Sequence, residues 1–403
     1  MNLLLINYEY PPLGGGAGNA TREIGRALAS LGCGVTVLTT AQGDLPLEEE
    51  QDGVLVRRVR ALRRRRDRSN PLEMLSFISA ASRQVASLAR ERSVDRSLAF
   101  MGLPSGPVAL ELKRRLGIPY WTLLRGGDVP GFLPEQMALY HRLSGPWIQR
   151  VWHESEGLIA NSVGLRRLAE ASLHRAYSRQ RRPPGAFALK LAVVPNGVDT
   201  GRFIPAQGGL PPRFGALFVG RLSAQKACDD LLAAWGALPR KQGTLTLVGD
   251  GPERAALQRQ AAALHIADEV DFLGWRPKDE LVRLYQGSSC LVLPSLCEGM
   301  PNVVLEAMAC GLPVVATAVE GTEELVSEGR SGFLVPPSQP RALAEALSRL
   351  SQDPGSRQRL GEEGRRLAES RDWTSVARVL LRITCGRAAG GECPVPGDAQ
   401  GRG

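Results

Sequence analysis

The stretch Leu293–Pro313, LPSLCEGMPNVVLEAMACGLP, decides the fold. It grows out of the apolar run Cys290-Leu291-Val292-Leu293, which reads as a buried parallel strand, because a strand covered on both faces need not alternate polar with apolar. A loop follows, and Asn302 then reads as the cap of a helix carrying Val303 to Ala309. Glu298 falls in the loop and Glu306 in the opening turns of the helix. A helix N-terminus gathers free backbone N–H groups and positive partial charge, so the place suits a phosphate, with carboxylates beside it for hydroxyls. Phosphate next to hydroxyls is the chemistry of a sugar nucleotide.

The strand-then-helix pattern recurs on both sides. Upstream of the opening stretch come Ala216–Val219, a helix after Lys226, Thr244–Val248, the helix Glu253–Leu264, Val270–Phe272 and the helix Asp279–Tyr285; Val314–Thr317 follows it. The first half shows Leu3–Asn7, the helical Ala17–Leu31, Val35–Thr39, a charged hairpin-like stretch around Val54–Val59, the helix Leu72–Arg90 and Tyr120–Leu124. This is a doubly wound α/β pattern, given twice in tandem. A chain of 403 residues also exceeds one ordinary core.

The boundary is expected at Pro195–Asp199, PNGVD, which a Pro/Gly-rich stretch follows. The expected layout is a first domain over 1–198 and a second over 199–370. Helix-like sequence from Ala342 to Ile383 breaks at Pro354-Gly355 and Asp372-Trp373, which frees a terminal helix over 371–385 to return to the first domain. The Gly- and Pro-rich tail 386–403 has no periodicity and reads as disordered.

Composition narrows the class. With 43% hydrophobic and 5% aromatic residues the chain reads as an ordinary globular protein. Its formal charge of +9 is uneven: residues 1–198 hold 27 Lys+Arg against 17 Asp+Glu, and residues 199–403 hold 23 against 24. Seven scattered cysteines, Cys33, Cys228, Cys290, Cys297, Cys310, Cys385 and Cys393, lack metal-ligand spacing and read as reduced thiols of a cytoplasmic protein. The opening MNLLLINY reads as a first strand rather than a leader, and no apolar run approaches a membrane span. The run Arg63-Arg64-Arg65-Arg66-Asp67-Arg68, ahead of the amphipathic Leu72–Leu88, is expected to rest on an anionic membrane surface and to place the protein at the inner face of the membrane.

Three further clusters sit where strands end. Gly14-Gly15-Gly16 follows the first strand and lets backbone N–H groups approach phosphates, although Asn19 replaces the last glycine of a dinucleotide fingerprint. Gly220 to Lys226, GRLSAQK, brings a planar guanidinium at Arg221 and a compact ammonium at Lys226 to one strand end, a pair suited to a diphosphate. Gly249-Asp250-Gly251-Pro252 and, after a later strand, Gly274 are turns whose backbone passes close to a nucleotide.

In this order the motifs resemble the family-4 retaining glycosyltransferases of GT-B fold, over most of residues 1–370. The carriers are the Glu298 and Glu306 pair, Arg221 with Lys226, Gly14 to Gly16, Arg125-Gly126-Gly127-Asp128-Val129-Pro130, Asn161-Ser162, Pro195 to Asp199, and Gly249 to Pro252. The resemblance implies two Rossmann-like domains facing across a cleft, and a nucleotide sugar, UDP- or GDP-linked, held mainly by the second. It implies that Glu306 takes ribose hydroxyls, that Arg221 and Lys226 neutralise the diphosphate, and that Glu298 holds sugar hydroxyls. Gly299, Met300, Pro301 and Asn302 would then approach sugar and phosphate, with Gly15, Gly16, Gly249 and Gly274 completing the donor site. Arg125, Asp128 and Asn161 fall on the acceptor side, and the catalytic candidates are Glu298, Arg221, Lys226 and Asp128, the last by orienting the acceptor or Arg125. Transfer would proceed with retention, without a metal or other cofactor, onto a glycan or lipid-linked acceptor of cell-envelope or lipopolysaccharide type.

The chain departs from many relatives in having Arg125 where they carry His; an arginine binds anions but is no general base. His141, His153, His174 and His265 have no motif around them. Two other classes fit less well. A sugar-nucleotide epimerase on the same scaffold needs acid/base side chains that no motif supplies, and a basic nucleic-acid binder needs interleaved aromatics that are missing, so no nucleic-acid partner is expected.

Overall fold

Two sets of short apolar runs assemble into two parallel sheets. In the computed structural model residues 1–65, 69–132, 134–180, 191–211, 213–239 and 243–385 are described. Arg66, Asp67 and Arg68 of the basic run, Cys393 and the tail expected to be disordered lie outside them.

The first part of the chain holds β1 (Asn2–Ile6), α1 (Gly16–Ser30), β2 (Gly34–Thr40), β3 (Glu48–Gln51), β4 (Val54–Val59), α2 (Pro71–Glu91) and β5 (Arg96–Phe100). It continues through α3 (Ser105–Leu116), β6 (Tyr120–Leu124), α4 (Pro134–Glu154), β7 (Gly157–Ala160), α5 (Val163–Gln180) and β8 (Leu191–Val193). Next come β9 (Phe214–Val219), α6 (Cys228–Gly236), β10 (Gly243–Val248), α7 (Arg254–Ala263), β11 (Val270–Gly274), α8 (Lys278–Gln286) and β12 (Cys290–Leu293). The chain closes with α9 (Asn302–Ala309), β13 (Val314–Thr317), α10 (Glu320–Glu323), β14 (Gly332–Val335), α11 (Pro340–Gln352), α12 (Pro354–Glu369) and α13 (Trp373–Cys385).

Two compact units result, one from Met1–Asn196 with Trp373–Gly403 and one from Gly197–Asp372. In the first, the strand order is β3-β4-β2-β1-β5-β6-β7-β8, parallel except for the β3–β4 hairpin. Val376, Ala377, Leu380 and Leu381 of α13 join Ile24, Ala27 and Leu28 of α1 in one buried cluster. The Val, Ile and Leu side chains among these each contribute about 1.5–3 kcal/mol when fully buried, enough to hold α13 on a unit that is far away in sequence.

In the second unit the order is β11-β10-β9-β12-β13-β14. Chain direction across this sheet reverses between β9 and β12, and in open α/β sheets ligands bind outside the carboxyl ends of the strands at such a reversal. All four residues of β12 are at 0% exposure, which explains their unbroken apolar run. The sequence expectation for α9 needs one correction. Pro301, at φ −76 and ψ 105, is the N-cap, and Asn302 is the first helical residue. Proline already holds the extended backbone that a cap requires, so no side-chain cap is formed.

A second correction concerns the basic run. The Arg63 side chain is only 1% exposed, with its guanidinium 3.5 Å from Glu9 and over the Tyr8 ring at 5.3 Å. Arg63 therefore cannot lie on lipid headgroups, whereas Arg64 and Arg65 are exposed. No helix among the described residues is long and apolar enough to cross a membrane.

Candidate active site

The sheet reversal of the second unit points to the loops after β9 and β12, which carry Arg221, Lys226 and Glu298. Those loops are joined. Leu296 donates its backbone N–H to the Gln225 carbonyl at 2.8 Å, and the Gln225 side-chain amide donates to the Cys297 carbonyl at 2.8 Å. Lys226 ends a short 3-10 turn, Ala224–Lys226, and its ammonium lies 2.5 Å from the Glu298 carboxylate. Both side chains are largely enclosed, at 17% and 8% exposure. Arg221 stands half-buried at the start of the same loop.

The neighbouring turns are locked by close backbone approach. Gly220 donates to Val248 at 2.9 Å, Leu222 to Asp250 at 3.0 Å, and Gly249 to Gly274 at 2.8 Å. Gly249 sits at φ +135, where a Cβ would meet the Gly220 carbonyl at 1.8 Å. Only glycine fits there. The β9, β10 and β11 ends thus form one continuous ledge.

Glu306 lies one turn into α9, 7% exposed. The Tyr285 hydroxyl donates to one of its oxygens at 3.2 Å, and the Lys278 ammonium stands 3.5 Å from the other. Burial, and then the charge of Glu306, push the Tyr285 phenol well above its ordinary range, so it stays a proton donor.

Sequence reasoning missed the supports behind the Glu298 loop. The Thr317 hydroxyl donates to the Ser295 carbonyl at 2.5 Å, and the Thr322 hydroxyl to the Thr317 carbonyl. At Gly321 a Cβ would come within 2.5 Å of the Gly299 carbonyl and 2.9 Å of the Glu298 carbonyl. The signal was present as Thr317 followed by Gly321-Thr322 after a buried strand, but its partners lie in another loop. Gly299, Met300 and Pro301 are buried between these supports and the start of α9.

In the first unit the reversal falls between β1 and β5. After β1, Gly15 caps α1 without a side-chain cap, and its Cβ position meets nothing within 4 Å. Asn7 anchors this turn by donating to Thr21 at 2.7 Å and to the Ala17 carbonyl at 3.3 Å. Gly15 and Gly16 so belong to this unit, whereas the other proposed donor residues belong to the second.

The loop after β6 carries Arg125 and Asp128. The Asp128 carboxylate accepts from Gly102 at 2.9 Å and from the backbone of Arg125 and Gly126, each at 3.0 Å. It is 3% exposed, and burial pushes its carboxyl up against the opposing pull of those N–H groups. The oxygens of Asp128, a catalytic candidate by sequence, fold this loop and tie it to the one after β5. The Arg125 guanidinium donates to the Asn196 side chain at 2.7 Å and lies over the Phe100 ring at 5.1 Å. Around it stand Ile24, Leu123, Ile159, Val194, Val376 and Leu380, and burial pulls its pKa down to about 10. Asn161 is 4% exposed, and the adjacent Ser162 caps α5 by accepting from Leu165 at 3.1 Å. His141, which had no motif around it, places its ring nitrogen 2.9 Å from the Gly127 carbonyl.

Comparison with known proteins follows the two units. Residues 204–367 match the family profile described as glycosyl transferases group 1, and residues 15–197 the one described as glycosyl transferase 4-like domain. The chain is 34% identical over 406 residues to D-inositol 3-phosphate glycosyltransferase of Frankia alni, covering 93% of this chain and 95% of the relative. With the protein of that name from Salinispora tropica it is 36% identical over 223 residues, 49% of this chain and 46% of the relative. The chain thus spans about half the length of that relative and of two others of the same name. Among solved structures, sucrose-phosphate synthase of Thermosynechococcus elongatus gives a TM-score of 0.78 at 24% identity, covering 94% of this chain and 97% of that one. Anabaena HepE in complex with UDP-glucose gives 0.72 at 23%, covering 94% and 98%. At such identities these two structures speak to the fold, which is GT-B.

Proposed function

The chain belongs to the group 1 glycosyltransferases, and from that premise we propose that it moves a hexose from a nucleotide sugar to a glycan or lipid-linked acceptor, with retention and without a divalent metal. The observation that carries the reading is the Lys226–Glu298 pair, set between two stitched loops at the sheet reversal of the second unit. Lys226 and Arg221 meet the diphosphate, and the α9 N-terminus adds its partial positive charge. Negative charge grows on the leaving phosphate as the glycosidic bond breaks, so these groups bind the transition state better than the ground state. Glu298 holds sugar hydroxyls and keeps the Lys226 ammonium aimed; Glu306 takes the ribose. The departing phosphate oxygen receives the acceptor's proton on the same face, so no side-chain base is needed.

The donor base is read as uracil, in line with the UDP-glucose named in the Anabaena HepE complex. For the acceptor, exposed Leu62, Leu72 and Leu75, beside exposed Arg64 and Arg65, support a lipid-linked substrate presented at an anionic membrane in cell-envelope synthesis. A second reading, a phosphorylated inositol acceptor, is favoured by the full-length likeness to the Frankia alni protein. A thermal-shift panel of UDP, GDP and their sugars, followed by product NMR in the presence of EDTA, tests the proposal. Stabilisation by no nucleotide, an inverted anomeric centre, or activity abolished by EDTA would each overturn the corresponding part.

A further inference from the structure

Lys278 opens α8, directly after the ledge formed by β11, and it belongs to none of the motifs that mark the donor site. Its ammonium stands 3.5 Å from one oxygen of Glu306 and 5.8 Å from the centroid of the Phe203 ring. Two helical turns further along α8, Tyr285 donates to the other Glu306 oxygen at 3.2 Å. Phe203 packs edge-on against Tyr285 at 5.9 Å, so the ring that faces the ammonium also braces the phenol. The Lys278 and Glu306 side chains are 20% and 10% exposed. Glu306 is therefore gripped on both oxygens by one face of one helix.

A carboxylate this enclosed stays ionised only if a cation or several donors compensate it. Lys278 supplies the cation and Tyr285 a neutral donor. Together they fix the plane of the Glu306 carboxylate, and that plane decides whether it can accept from two neighbouring hydroxyls at once.

We propose that Lys278 is a positioning residue that confers selectivity for a ribonucleotide over its deoxy counterparts, by holding Glu306 oriented toward the ribose diol. This rests on the reading of Glu306 as the ribose acceptor. The interaction lost with Lys278 is specific: a ligand without ribose hydroxyls makes no use of Glu306's orientation, so its affinity does not depend on Lys278.

Titration calorimetry with UDP and with 2′,3′-dideoxy-UDP tests this on the full chain. Wild type binds UDP more tightly than the dideoxy compound; Lys278→Met weakens UDP by about tenfold, as for loss of a charge-assisted contact, and leaves the dideoxy compound unchanged. Lys278→Arg restores most of the UDP affinity. If Lys278→Met weakens both ligands equally, or neither, Lys278 does not act through the ribose and the proposal fails. If Lys278→Met folds poorly, the double variant Lys278→Met/Glu306→Gln removes the unpaired charge. It should bind UDP no more weakly than Glu306→Gln alone, and an additive loss overturns the proposal. A wild type that does not distinguish the two ligands instead refutes Glu306 as the ribose acceptor.

Discussion

Lys226→Met removes one half of the closest ion pair in the candidate donor site, and its consequences divide cleanly between stability and chemistry. At 2.5 Å and an effective dielectric of about 20, the gross attraction to Glu298 is about 7 kcal/mol. Desolvation of two largely enclosed groups offsets most of that. What the substitution exposes is the unpaired Glu298, 8% exposed, and removing one partner of a buried pair typically costs about 3–5 kcal/mol. Lys226 keeps 17% exposure, which allows some water in and brings the expected loss to about 2–3 kcal/mol. For a unit of this size that lowers the melting temperature by about 4–12 °C. Adding Glu298→Gln removes the stranded charge and should recover most of it, whereas transfer stays low. Loss of one donor to a developing oxyanion lowers kcat by about 10²–10³-fold, and the double variant does not regain it. Differential scanning calorimetry reads the first quantity and nucleotide-sugar turnover the second. A Lys226→Met protein that melts with wild type and turns over within about threefold of it would refute the reasoning, because the pair would then be an exposed contact of little worth.

Burial pushes the thiols of Cys228, Cys290 and Cys310 up to about 12, so at pH 8 about one in ten thousand is thiolate. Iodoacetamide on the native protein, read by mass spectrometry, should modify the half-buried Cys33, Cys297 and Cys385 and spare those three until denaturant is added. Gly249→Ala places a methyl 1.8 Å from the Gly220 carbonyl at φ +135 and should lose more than about 3 kcal/mol, with loss of UDP binding in calorimetry. If the exposed leucines meet a bilayer, Leu72→Ser/Leu75→Ser should cut co-sedimentation with anionic vesicles at least as strongly as Arg64→Gln/Arg65→Gln. Arg63→Gln acts through stability instead, because its guanidinium faces Glu9 and Tyr8.

How far the sequence could be read depended on whether the determining contacts were local. The β12 run was legible because burial on both faces leaves an unbroken apolar signature, and the two parallel sheets followed from repetition of that signal. Arg96–Phe100 carries no such signature: β5 is short and opens with Arg and Ser, yet Ser97 through Phe100 are buried, since the strand runs between β1 and β6. Nothing local separates Arg63, which turns inward, from Arg64 and Arg65, which do not. Which arginine is buried depends on Glu9 and Tyr8, in the loop after β1 and more than fifty residues away in sequence. Glu306 is legible by its spacing from Glu298, but Lys278 and Tyr285, which hold it, lie on a different helix more distant in sequence.

Arg125 shows the same limit from the other side. By sequence it is an anion-binding substitute for histidine, and the fold sets it half-buried beside Phe100, Ile159 and Leu380, with Asn196 as a neutral partner. Its pKa falls from 12.5 to about 10 mainly through burial, so the unfolded chain holds the proton more strongly than the native one. The sign follows: stability rises with pH between about 10 and 12.5, and at neutral pH the native state carries the cost of a partly desolvated cation. A methionine would fill this recess without that cost. What the position supplies is therefore charge, held on a loop whose backbone is fixed by the three N–H groups bound to Asp128, and it stays a cation throughout the physiological range.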